Sequence, residues 1–92
     1  MGAVEIKKFL YDYLHGTSPL ELDMDSAEFL DFRYLDEHLD SFEIIQFIMA
    51  LEHEFTIHLS PEDTESEQIR TIKGLVEIIT NKIHSKKDSF HH

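Results

Sequence analysis

Ninety-two residues with 41% hydrophobic side chains and no cysteine suit a single small domain with one core. They exclude disulfides, cysteine-based zinc knuckles and any protein thiol nucleophile. Eight basic against nineteen acidic residues leave a net charge of −11, which argues against nucleic-acid binding because that affinity rests on Lys and Arg displacing counterions from phosphates. An acidic field of this size suits steering toward a basic protein surface, and it also suits plain solubility.

The apolar runs fall well short of the roughly 20 residues that cross a bilayer, and no N-terminal apolar stretch looks like a signal peptide. The expectation is a cytoplasmic monomer without a membrane span, folded over residues 1–84. Residues 85–92 read as a polar, disordered tail that ends in His91 and His92.

In chain order, Ile6, Phe9, Leu10, Tyr13 and Leu14 recur at helical spacing, with Glu5, Lys7, Lys8 and Asp12 opposite. This predicts an amphipathic helix over residues 3–15 that stops at Gly16. Between Gly16 and Asp40 no clean period survives. Ser18-Pro19-Leu20-Glu21 and Ser26-Ala27-Glu28 can each start a helical turn. A connection this long tends to be functional, so Phe29, Leu30, Phe32, Tyr34 and Leu35 are expected to fold back on the core.

The strongest helix runs from Ser41 to about Phe55, with Asp40 as N-cap and Glu43 completing a capping box. Phe42, Ile45, Phe47, Ile48, Leu51 and Phe55 are too many for a narrow stripe, so much of this helix is expected to be buried. Phe42 is expected to anchor its first turn, leaving Glu43, Gln46, Met49, Glu52, His53 and Glu54 outside. Ser60-Pro61-Glu62-Asp63 predicts a short helix. Thr71 caps a last one with Ile72, Leu75, Val76, Ile79 and Ile83 inward, fraying near His84. Phe55–Leu59 is strand-like but has no partner strand. The fold class is therefore all-α: a four-helix bundle of three main helices and one short one, with a long first loop.

Most chemical motifs fail on spacing. His53 and His58 approach a helical zinc-protease motif but stand five apart instead of four, which puts them on different faces of a helix. Asp23-Met24-Asp25 begins like a calcium loop, but the glycine is missing and Tyr34 stands where the last glutamate belongs. The three glycines are too scattered for a phosphate loop, and Ser41 has no nucleophile-elbow or oxyanion-hole signature around it. No metal site and no catalytic residue is expected.

What remains is Leu39-Asp40-Ser41-Phe42, a serine at the mouth of the best helix. Unpaired backbone N–H groups and the positive end of the helix dipole favour a phosphodiester there. By itself the motif reads first as ordinary capping, and the wider run around it overturns that default. The run Leu39–Phe55, followed by Ile57, Leu59-Ser60-Pro61 and Ile69-Arg70-Thr71-Ile72, resembles the acyl carrier proteins. In that family an Asp-Ser-Leu motif opens the second helix, a Met-Ala-Leu-Glu-x-x-Phe stretch follows, and a Thr-(Val/Ile) step opens the last helix.

The resemblance implies that Ser41 receives 4′-phosphopantetheine from coenzyme A through a phosphopantetheinyl transferase, and that acyl or aminoacyl groups ride on its thiol as thioesters. The chain would then be a carrier and not an enzyme, serving fatty-acid or secondary-metabolite biosynthesis while its partners do the chemistry. Asp40 would help the transferase recognise the site. Glu43, Gln46, Met49 and Glu52 would meet a ligase, acyltransferase or synthase with a basic docking surface. Two departures stand out. The glycine usual two or three positions before the Asp is replaced by Glu37 and His38, and Phe42 stands where Leu is usual. The Leu-Asp-Ser-Phe form is similar to D-alanyl and other specialised carriers. The alternative function is an unmodified acidic helical adaptor that docks on a basic partner protein.

Overall fold

The computed structural model describes residues 2–89, with side chains described for 2–85. The described residues are all-helical: α1 (Ala3–Thr17), α2 (Ala27–Leu30), α3 (Tyr34–Glu37), α4 (Ser41–Phe55), α5 (Pro61–Thr64), a 3₁₀ turn (Glu67–Arg70) and α6 (Ile72–Ser89). Helices α1, α4 and α6 are the three main elements. Phe55–Leu59 forms no strand.

In α1, Ile6, Leu10 and Leu14 are fully buried at a spacing of four, as a stripe at 3.6 residues per turn requires. The helix passes through Gly16 and ends at Thr17. The terminator is Pro19, because a residue before proline is excluded from the helical region. Ser18 is accordingly extended, at φ −158° and ψ 130°, and its N–H donates to the Leu14 carbonyl.

The first connection carries two single-turn helices. Ser18-Pro19-Leu20-Glu21 forms none, but the Ser26 hydroxyl caps α2 by accepting the Phe29 N–H at 3.2 Å. Phe29 and Tyr34 are fully buried, and Leu30, Phe32 and Leu35 pack half-buried against the core, so the connection does fold back. Tyr34 sits edge-on to Phe47 of α4 with ring centroids 5.4 Å apart. Its hydroxyl donates to the Ile69 carbonyl in the 3₁₀ turn, which supplies the partner a buried phenol needs. Burial also pushes its ionisation up.

Helix α4 turns Phe47, Leu51 and Phe55 inward, while Phe42 is 67% exposed and Ile45 60% exposed. Phe42 is therefore not the core anchor that its apolar character suggests. It precedes Phe47 by five residues, about 140° round the helix, and the packed face is the one holding Phe47, Leu51 and Phe55. Burying those three is worth roughly 1.5–3 kcal/mol each, against about 1 kcal/mol for an N-cap. Packing selects the inner face, and the cap selects where the helix begins.

Beyond α4, Thr56 closes the helix in the left-handed region at φ 52°. Ser60 and Asp63 form a capping box on α5. Asp63 also meets Lys82 of α6 at 2.8 Å, tying the short helix to the last one. The Thr71 hydroxyl caps α6, accepting the Gly74 N–H at 3.2 Å. Buried Ile72, Leu75, Ile78 and Ile79 line the inner face of α6, with Val76 and Ile83 half-buried. The helix continues to Ser89, past the fraying expected near His84, because neither Gly nor Pro interrupts residues 75–89. The last part of the expected tail, 90–92, lies outside the described residues.

Gly74 is required by a close approach. A Cβ there would stand 1.7 Å from the Gln68 carbonyl oxygen, which is backbone and cannot swing aside. Gly74→Ala should cost about 3 kcal/mol by overpacking, a fall of at least ~10 °C in a thermal melt.

Phe42→Asp places a charge in solvent at the N-terminal end of a helix, where it is welcome. The melt should move by no more than about 0.5 kcal/mol in stability; a loss of several kcal/mol would return Phe42 to the core.

The hydrogen bond from Lys82 holds the Asp63 carboxyl below its usual range, helped by Ser60 and opposed by partial burial. A carboxyl lowered on folding stabilises fully above its unfolded pKa, and that contribution disappears as pH falls through the folded value. Lys82→Met should thus destabilise near neutral pH by about 0.5 kcal/mol, the range of partly exposed pairs. Wild type and variant should converge in denaturant titrations near pH 2.

Candidate functional site

The residues around Ser41 are placed from both sides. On the N-terminal side, Leu39 is only 8% exposed, and its N–H donates to the Tyr34 carbonyl at 3.2 Å. The buried Tyr34 thus sets the height at which the chain enters α4. On the helix side, Asp40 Oδ1 accepts the Glu43 N–H at 2.8 Å, and Glu43 Oε1 accepts the Asp40 N–H at 3.0 Å. This reciprocal box fixes the first turn. With Leu39 buried and Asp40 turned back onto the helix, Ser41 is the first helical residue and is exposed.

The electrostatics of this position follow from the backbone. The Glu43 amide is capped, but the amides of Ser41 and Phe42 belong to the first turn, which has no intrahelical acceptors. They add to the positive end of the dipole of a 15-residue helix. An anionic group on Ser41 would be stabilised by that end of the helix, while the nearby Asp40 carboxylate opposes it.

The position that commonly holds glycine before the Asp-Ser pair is here a tether. His38 Nε2 lies 2.7 Å from the Leu14 carbonyl, and its ring meets Phe32 edge-on at 5.8 Å. The backbone of His38 has φ −125°, a conformation that needs no glycine. The side chain therefore replaces a flexible approach to Ser41 with a link to the end of α1.

The other residues singled out in the sequence fall into two groups. Gln46 is exposed and Met49 is 62% exposed on the outer face of α4. Glu43 is half-buried and held in the capping box. Glu52 is half-buried, and its Oε2 accepts the Leu59 N–H at 2.9 Å and stands 3.2 Å from His58 Nδ1. These bonds hold the chain that follows α4, so Glu52 has an internal task that its position on the helix did not reveal. Among the described residues, no three His, Asp or Glu side chains converge to hold a metal ion.

Sequence reasoning missed Phe42 and Ile45 as members of the outer surface. The signal was available: 42, 45 and 49 form one helical row, and 47, 51 and 55 form another on the far side of the helix. It also missed the positioning parts played by Tyr34 and Leu39. Those contacts join residues that carry no local pattern.

No family model matches the chain, and no solved structure matches it significantly. Curated proteins do. An acyl carrier protein of Buchnera aphidicola from Schizaphis graminum is 36% identical over 78 residues, covering 85% of this chain and 89% of that protein. One from Buchnera aphidicola of Acyrthosiphon pisum is 36% identical over 77 residues, covering 84% and 86%. The acyl carrier protein of Chlamydia trachomatis serovar D is 31% identical over 78 residues, covering 85% and 91%. Identity at this level across nearly the whole of both chains, on an all-helical frame, means that the chain belongs to the acyl carrier protein family.

Proposed function

We propose that Ser41 is the attachment point of a 4′-phosphopantetheine arm and that the chain carries acyl or aminoacyl groups on it as thioesters. The observation that carries this reading is the exposed serine at the first residue of α4, in a chain of the acyl carrier protein family. The surroundings fit such a group. Leu39 occupies the core in place of Ser41, so a bulky substituent on the hydroxyl meets solvent. The helix end also offers a positive potential to a phosphodiester. When bound, the arm supplies the thiol that a chain without cysteine lacks.

The remaining work belongs to this chain's own residues. Ser41 presents its hydroxyl to a phosphopantetheinyl transferase; its oxygen would bond to the pantetheine-side phosphorus as the pyrophosphate bond of coenzyme A breaks, with 3′,5′-ADP leaving and the hydroxyl proton passing to a base of the transferase. Asp40 marks the site while holding the first turn. Glu43 and Glu52 are engaged within the chain, so their part in meeting a ligase, acyltransferase or synthase is long-range attraction to a basic surface. Gln46 and Met49 make direct contact. Attraction of this kind raises encounter rates more than affinity, which suits a carrier that must leave each enzyme. We place this activity in the cytoplasm and assign it to a monomer.

The test is incubation with coenzyme A and a broad-specificity transferase, read by intact mass. Wild type should gain one phosphopantetheine. Ser41→Ala should gain none and keep its helical circular dichroism, because Ser41 is exposed and the cap rests on Asp40. A wild type that stays unmodified with every transferase tried would favour an unmodified acidic adaptor.

A further inference from the structure

The half-buried ring of His38 ties the step into α4 to the end of α1. Its Nε2 lies 2.7 Å from the Leu14 carbonyl oxygen. A carbonyl only accepts, so the ring must carry a proton on Nε2. The same oxygen also accepts the Ser18 N–H at 3.1 Å. It therefore keeps a partner if the ring is removed, and α1 does not depend on this bond.

The segment that the ring holds has little rigidity of its own. Helix α3 is a single turn. Tyr34 fastens the start of that turn to Phe47 and Ile69, and its carbonyl takes the N–H groups of both His38 and Leu39, at 3.1 and 3.2 Å. All of these bonds converge on residue 34, and supports that meet at one residue leave a pivot. The His38 ring adds a support on a different helix, three residues before Ser41, and its edge-on contact with Phe32 at 5.8 Å orients the ring itself. On the other side of Ser41, the Asp40–Glu43 box is exposed. Exposed first turns fray.

We propose that His38 is a positioning residue for the modification of Ser41. Its hydrogen bond to the end of α1 keeps the first turn of α4 from fraying, and so holds the serine hydroxyl where it can react. His38 acts through the backbone of residues 38–40. The inference rests on the reading of Ser41 as the attachment site. Misplacing a reacting group by about 1 Å can cost about 100-fold in rate; the net worth of one hydrogen bond sets a smaller effect here, about 3- to 10-fold.

The experiment follows single-turnover modification with coenzyme A as a broad-specificity transferase is raised to saturation, read by intact mass. It compares wild type, His38→Ala, His38→Gln and His38→Asn, with circular dichroism as the check on folding. His38→Ala should slow the saturated step about 3- to 10-fold. The half-saturating transferase concentration should stay within about twofold, because orientation is lost while binding is not. A chain that was merely less stable would show the reverse, since less folded substrate weakens apparent binding and leaves the saturated rate alone. His38→Gln puts a carboxamide N–H at about the reach of Nε2, so it should recover the wild-type rate to within about twofold. His38→Asn is one carbon shorter and should behave like His38→Ala.

A wild-type saturated rate for His38→Ala would overturn the proposal, as would a slow His38→Ala that His38→Gln does not rescue. A His38→Ala chain without helical signal would make the bond a requirement of folding and overturn the positioning role. The ring is also read in the wild type, independently of any variant: nitrogen NMR should show neutral His38 protonated on Nε2, and a proton on Nδ1 instead would overturn the tether. A wild type that accepts no adduct would overturn the attachment reading and the role of His38 with it, while leaving the Nε2 proton in place.

Discussion

Tyr34 is the contact on which the rest of the arrangement depends. It belongs to a single-turn helix too short to be stable alone, yet among the described residues it is the largest fully buried side chain and makes three kinds of contact at once. Its ring packs on Phe47, its hydroxyl reaches Ile69, and its backbone carbonyl receives Leu39. One residue of the connection thereby joins α4, the turn before α6, and the step leading into Ser41. An unsatisfied phenol in this position would cost about 1–3 kcal/mol, so the hydroxyl also restricts where the 3₁₀ turn can sit. The exposure of Ser41 goes with this entry, since Leu39 fills the core and the Asp40–Glu43 box begins the helix at the next residue.

The connection between α1 and α4 is thus a structural member. Tyr11 donates to the Leu22 carbonyl at 2.9 Å, the Leu20 N–H reaches His15 Nδ1 at 2.9 Å, and His38 holds the far end to Leu14. Asp36 of α3 pairs with Arg70 at 3.5 Å. Each bond is modest taken alone. Together with buried Phe29 they commit the segment to one path over the bundle. The serine thus stands on a support held from several sides.

Charge and apolarity have separate places on this molecule. The carboxylates near Ser41 are drawn into local structure: Asp40 and Glu43 into each other's amides, Glu52 into the chain after α4. Their net field remains, but their geometry is set by the fold. Phe42, Ile45 and Met49 of the same helix stand exposed.

Local physics made much of this legible. The boxes at Asp40/Glu43 and Ser60/Asp63, the caps at Ser26 and Thr71, and the inward rows of α1 and α6 all join residues three or four apart, where sequence spacing is spatial proximity. The motif around Ser41 pointed to the family for the same reason. Two helix ends were misjudged because the deciding feature lay further along: Pro19 beyond Gly16 for α1, and an uninterrupted stretch past His84 for α6. By itself, then, the chain determined its three main helices and the capped turns at Ser26 and Ser60, the serine at the mouth of one helix, and its membership among acyl carrier proteins. Only the tertiary structure decided which of two apolar rows of α4 turns inward, that Glu52 serves the fold, that Gly74 must lie against Gln68, and that Tyr34 reaches Ile69. Those outcomes depend on contacts between distant residues competing for one small core, and such competition leaves no periodic trace in a sequence.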